Sequence, residues 1–298
     1  MNTLKHLIFL LVVSLSGVGP AQAKPDDEAP VTIVPQFGYE VKSNGVSEAV
    51  VYLEFAGEES SNKSARALVE STCNELRKVG QTSSVPTFDD GGQDPSKTRR
   101  ITILAKHMSY FLSQSLTYNK LPGASIAQGV KGGLCAEHFR LRVQTDVTIR
   151  KLLPDRIIES KFNVEAKTGR NSTLRPGAMV NFKTSYGLGY SRGILKPGQG
   201  TGMSEVLGLP CVVVPSPLNT PLHFDEGCYA SADNEKVPKI MEGRSLSQTA
   251  TWEGSEKNFS RQEAVKLVPN GLIDSGVFEV PPGMTMREYT DPGFKAAK

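Results

Sequence analysis

Residues 139–150 read FRLRVQTDVTIR. Phe139, Leu141, Val143, Thr145, Val147 and Ile149 alternate with Arg140, Arg142, Gln144, Asp146, Thr148 and Arg150, which is the two-residue period of a half-buried strand. A Leu-Leu-Pro-Asp connection follows. Beyond it Ile158, Ser160, Phe162, Val164 and Ala166 alternate with Glu159, Lys161, Asn163, Glu165 and Lys167. The two runs predict a long antiparallel hairpin. Its apolar faces coincide only if the two numbers in each opposing pair sum to an odd value. Pairing of opposite charges then favours the register that sets Asp146 against Lys161 and Arg142 against Glu165.

Further strands are expected at Ala178–Thr184, Leu209–Val214, Ser245–Trp252 and Arg261–Val268, with Gly- and Pro-rich turns between them. Toward the N-terminus, Ala49–Phe55 reads as a strand. Ala65, Leu68, Val69, Thr72, Cys73, Leu76 and Val79 follow at helical spacing, with Gly80 as the stop. This stripe is expected to be buried. Residues 81–97 are polar and rich in Gly, Pro, Ser and Asp, and read as a loop. Asp94-Pro95 is expected to open a second helix, in which Ile101, Leu104, Ala105, Met108, Phe111, Leu112 and Leu116 form an apolar face.

The expected fold is therefore α+β: a curved, half-barrel-like antiparallel sheet with two helices in its N-terminal half. One unit spans 36–290, made of a strand–helix segment (36–80), the loop (81–97) and a helix-plus-sheet part (98–290).

Ahead of it, Lys5, the apolar run Leu7–Leu15 and the close Ala21-Gln22-Ala23 have the pattern of a signal peptide over residues 1–23, cleaved after Ala23. The charged, proline-bounded segment 24–35 reads as a tether. This pattern places the mature chain in the periplasm or outside the cell. No later stretch has the roughly 20 apolar residues of a membrane-spanning helix, so no transmembrane segment is expected in the mature chain.

Cys73, Cys135, Cys211 and Cys228 all lie beyond the leader, and an even number in an oxidising compartment favours two disulfides. Of three pairings, Cys73–Cys135 with Cys211–Cys228 is favoured. The second closes a short Pro-rich loop, and the first ties the N-terminal half to the sheet. There is no CxxC or HxxxH spacing, and His107, His138 and His223 are far apart, so neither a metal nor another cofactor is expected. The formal charge of +3 falls by one with the leader, which gives no reason to expect nucleic acid as partner.

Gly189-Tyr190-Ser191-Arg192-Gly193 matches the G-x-S-x-G elbow of serine hydrolases. Lys196-Pro197-Gly198 follows where that elbow needs a helix, and no aspartate lies between Ser191 and His223, so Ser191 is a weak catalytic candidate. Glu137 and His138 are neighbours at a strand start and point to opposite faces, so they do not converge. The loop from Pro215 to Phe224 is held by three prolines and carries Leu218, Leu222 and Phe224. These three are the candidate binding residues, as an exposed apolar patch.

Val277-Phe278-Glu279-Val280-Pro281-Pro282-Gly283-Met284 resembles the close of uncharacterised secreted bacterial families, and Gly208-Leu209-Pro210-Cys211 with Gly227-Cys228-Tyr229 is similar to their cysteine element, so that the resemblance covers the C-terminal half of this chain. Some of these families look like half-barrels related to the lipoprotein carrier LolA, which hold an acyl chain against a concave sheet. The resemblance implies no catalytic residues. The functional expectation is an exported, non-enzymatic protein binding an apolar small molecule or lipid, or an envelope protein. The alternatives are an accessory protein without a ligand, and a hydrolase using Ser191.

Overall fold

The computed structural model describes residues 29–121, 133–174, 202–215, 222–231, 235–241, 244–252 and 255–290. The elements in chain order are β1 (Val31–Thr32), β2 (Ser47–Glu59), α1 (Ser61–Lys78), β3 (Thr87–Asp89), β4 (Lys97–Leu104), β5 (Met108–Lys120), β6 (His138–Leu152), β7 (Ile157–Asn163), β8 (Thr168–Leu174), β9 (Gly202–Val206), β10 (Leu209–Pro215), β11 (Leu222–Ala230), β12 (Ser245–Trp252), β13 (Ser255–Asp274) and β14 (Thr285–Thr290). One sheet has the order β14-β8-β7-β6-β5-β4-β2-β13-β12-β11-β10-β9, with β1 added to β13 and β3 to β6. Neighbours along the main path are antiparallel, except that β14 is parallel to β8; β1 and β3 also pair parallel. The sheet is mixed and open.

Its middle is buried on both faces. Val50 and Tyr52 of β2 belong to one apolar cluster, and Val51, Leu53 and Phe55 to another, as successive strand residues must. On the first face, Ile33 and Phe37 from the segment before β2, and Val277 and Phe278 from a 3-10 turn (Ser275–Phe278), pack against Ile101, Ile103, Tyr110, Leu112, Val147 and Phe162. Within this cluster the hydroxyls of Tyr39 and Tyr110 are 2.8 Å apart. On the second face, Val51, Leu53 and Leu104 pack with Leu209, Cys211, Cys228 and Leu246. Two to four strands separate β2 and β4 from β10 and β11 in the sheet order, so the sheet curls until its two halves share a core.

Three expectations need correction. The second helix is absent: residues 97–120 form the hairpin β4–β5. Ile101, Ile103, Tyr110 and Leu112 face the first cluster while Leu104 and Phe111 pack with the second. A strand buried on both faces has apolar residues at nearly every position, and such a run also satisfies i, i+3, i+4 spacing. Asp94 caps a turn rather than a helix, accepting from the backbone N–H of Ser96 at 3.0 Å.

The second correction is to α1. Of its expected apolar stripe only Cys73 is buried; Ala65, Leu68 and Val79 are exposed. The helix is held largely by polar groups and one covalent tie: Arg66 to Asp90 (2.9 Å), Asn62 Nδ2 to the Pro95 carbonyl (3.0 Å) and to the Leu116 carbonyl of β5, and the Cys73–Cys135 disulfide. Its end was legible: Gly80 has φ +70° and donates to the Arg77 carbonyl, a glycine C-terminal stop. Within the expected loop 81–97, β3 adds to β6 through Thr87↔His138 and Asp89↔Arg140.

Third, the β6–β7 hairpin keeps the required parity but is shifted by two residues. Asp146 opposes Asn163 and Arg150 opposes Glu159, while Arg142 lies beyond the end of β7. The expected register would leave Leu153-Pro154 as a two-residue loop. Both primed turns then need positive φ at Leu153, and one needs it at Pro154, which proline cannot adopt. The observed loop Leu153–Arg156 has four residues and a closing Leu153 N–H to Arg156 O bond of 2.9 Å, with Pro154 at the favoured second position of a turn.

Gly276 brings the 3-10 turn against the chain before β2: a Cβ there would lie 2.0 Å from the Lys42 carbonyl oxygen. Gly276→Ala should therefore cost about 1–3 kcal/mol in denaturant unfolding. A change below about 0.5 kcal/mol would mean that the Lys42 segment is not seated there.

Candidate functional site

Beyond the shared core, the second face turns polar on the β14–β6 side. Thr148, Lys161, Arg170 and Arg287 stand abreast on β6, β7, β8 and β14, each directly opposite the next. The adjoining row reads Ser109, Arg150, Glu159, Ser172 and Tyr289 from β5 to β14. Side chains on alternate strand positions share a face, so both rows look the same way.

The first row and its other neighbour line an open groove of about 720 Å³, with Asp146, Thr148, Lys161, Asn163, Thr168, Arg170, Thr285 and Arg287 around it. Val147, Phe162 and Gly169 also line it. The side chains of Val147 and Phe162 belong to the core of the opposite face. Three cations therefore meet one carboxylate.

In the adjoining row Glu159 is compensated from both rows. Arg150 Nε lies 2.5 Å from Glu159 Oε2, and Lys161 Nζ lies 2.9 Å from Glu159 Oε1. The side chains of Arg150 and Glu159 are only 10% and 7% exposed. Burial pushes the Glu159 carboxyl up, but hydrogen bonds from Lys161 and Arg150 outweigh it, so the group titrates below the ordinary glutamate value. The Oγ atoms of Ser109 and Ser172 are buried without a hydrogen-bond partner among the described residues.

In the groove, Asp146 accepts from Asn163 Nδ2 and Gln144 Nε2, each at 3.0 Å. The Arg170 guanidinium sits 5.3 Å from the centroid of the Tyr289 ring, which is 44% exposed. Arg287 and Arg170 have no ion-pair partner among the described residues. Like charges directly opposite one another destabilise a sheet. Arg170 and Arg287 therefore form a pair that an anion laid across it would stabilise, with Lys161, already paired to Glu159, beside them.

The residues singled out from sequence lie elsewhere. Ser191, Leu218 and the expected strand 178–184 fall outside the described residues. The backbone of Leu222 and Phe224 belongs to β11, opposite Trp252 and Ala250 of β12, so regular pairing begins inside the stretch read as an irregular loop. Cys211 bonds to Cys228 and Cys73 to Cys135, with Cα–Cα distances of 5.4 and 5.5 Å. Glu137 is buried and pairs with Lys120, while exposed His138 meets Thr87 through Nδ1. Among the described residues no three His, Cys, Asp or Glu side chains converge on a metal-binding position, and no helix is long and apolar enough to cross a membrane.

Sequence reading missed the groove. The alternation at 139–150 and 158–167 assigns Thr148 and Lys161 to the polar side of their strands. Arg287 joins them only because β14 returns parallel to β8, a pairing that no local pattern encodes. Comparison with protein-family models, curated proteins and solved structures found no match.

Proposed function

We propose that this is an exported, non-enzymatic binding protein of the cell envelope, which holds a negatively charged partner in the groove on β6, β7, β8 and β14. The observation that carries the reading is the row Lys161–Arg170–Arg287, three cations abreast with Asp146 as the one carboxylate in the groove lining. Two disulfides fit an oxidising compartment, and the leader pattern supports export. The side chains around the groove end in hydroxyls, an amide and charges, with carbon stems between them, and the charges support a polar envelope partner rather than the acyl chain that the LolA-like resemblance implies.

Titration at low salt against inorganic polyphosphate, poly-L-glutamate and polygalacturonate tests the reading. At least one should bind. Replacing Arg170 and Arg287 together by glutamine should weaken that binding about tenfold or more, equivalent to at least 1.4 kcal/mol, and leave the melting midpoint within a degree or two. Failure of all three probes to bind, or binding unmoved by the double substitution, would overturn it.

A further inference from the structure

Resting on that anion-binding reading, we infer that the partner is an acidic polysaccharide, with its carboxylates over Lys161, Arg170 and Arg287 and its hydroxyls on the neutral and acidic lining. Strand spacing of about 4.8 Å puts the three cations along roughly 10 Å. A ligand that uses all three must be elongated across the strands and carry repeated charge. That requirement alone admits any polyanion.

The rest of the lining narrows the class. Asp146 stands in the row next to the cations. It repels a chain that offers only anionic oxygens, yet a carboxylate is a strong acceptor for a sugar hydroxyl. Its neighbours Asn163, Thr148, Thr168 and Thr285 both donate and accept, which suits a ligand dense in hydroxyls. Beside the groove at the β14 end, the partly exposed Tyr289 ring carries the Arg170 guanidinium over it and helps to place that charge. A polyphosphate would use the cations and leave Asp146 as a penalty. A neutral glucan would use Asp146 and the hydroxyls and leave Arg170 and Arg287 uncompensated.

The test is a direct binding titration of the full mature chain against polygalacturonate, its methyl ester, dextran and inorganic polyphosphate at matched ionic strength. Polygalacturonate should bind about tenfold or more tighter than each of the others. Asp146→Asn should narrow the gap between polygalacturonate and polyphosphate. Polyphosphate binding as tightly as polygalacturonate, still sensitive to Arg170→Gln with Arg287→Gln, would overturn the saccharide assignment and leave the anion-binding function standing. Equal binding of the methyl ester would overturn the assignment from the other side, by removing the need for charge. Absence of binding by every anion would overturn both.

Discussion

Replacing Glu159 by alanine is expected to destabilise the protein by about 3–5 kcal/mol, because it leaves the Arg150 guanidinium buried without its carboxylate. Both side chains are about nine-tenths buried and 2.5 Å apart, so solvent screens the pair little. Lys161, at 2.9 Å from the same carboxylate, is more exposed and contributes less. The cost should lie in a buried charge that has lost its carboxylate rather than in lost volume. Arg150→Met combined with Glu159→Leu should therefore recover most of the loss.

The pair also predicts a pH dependence. Glu159 titrates lower in the folded state than the ordinary value near 4.3 of an unfolded chain. Its contribution is fully present above that value and is lost as pH falls through the lower, folded one. The stability difference between wild type and Glu159→Gln should be constant from pH 7 to about 5.5 and shrink below about 4.3. Chemical denaturation across that range reads it directly. A difference that grew on acidification would show that the carboxyl is protonated in the fold.

Removing the Cys73–Cys135 disulfide, as Cys73→Ser with Cys135→Ser, should cost about 4 kcal/mol in the chain-entropy account of a closure of this length. The two cysteines are 62 residues apart, against 17 for Cys211 and Cys228, whose loss should cost about 3 kcal/mol. The larger effect has a local consequence. Cys73 is the one buried residue of α1, and the other attachments are partly exposed polar contacts such as Arg66–Asp90, each contributing about 1 kcal/mol or less. Without the covalent tie the helix should leave the sheet before the sheet unfolds. Limited trypsin digestion under native conditions should then cut within α1, at Lys63, Arg66, Arg77 or Lys78, while β4–β8 stay protected. A double variant that stays resistant and loses less than about 1 kcal/mol would show that polar contacts alone hold α1 in place.

Where a strand has one wet face, the pattern is explicit: β6 and β7 stand out by alternation, and Ser245–Trp252 has the bounds expected of it. The stop of α1 at Gly80 and the parity of the β6–β7 hairpin were equally local, because each depends on one backbone angle or on the two-residue period. Where a strand is covered on both sides the alternation vanishes, and β4 with β5 imitates an amphipathic helix. The burial of α1 misled in the opposite direction, since apolar spacing says which side of a helix could be covered but not whether anything covers it.

The sequence by itself determined a strand-rich chain with two disulfides and a polar side to its best hairpin, because periodicity, turn chemistry and cysteine number act over a few residues. Tertiary structure alone decided that Arg287 stands beside Arg170 and Lys161. That row requires β8 to fold back on β7 and β14 to return over a hundred residues later as a parallel edge strand. Such pairings are selected by the total burial of both sheet faces, a quantity summed over the whole fold and held by no segment of it.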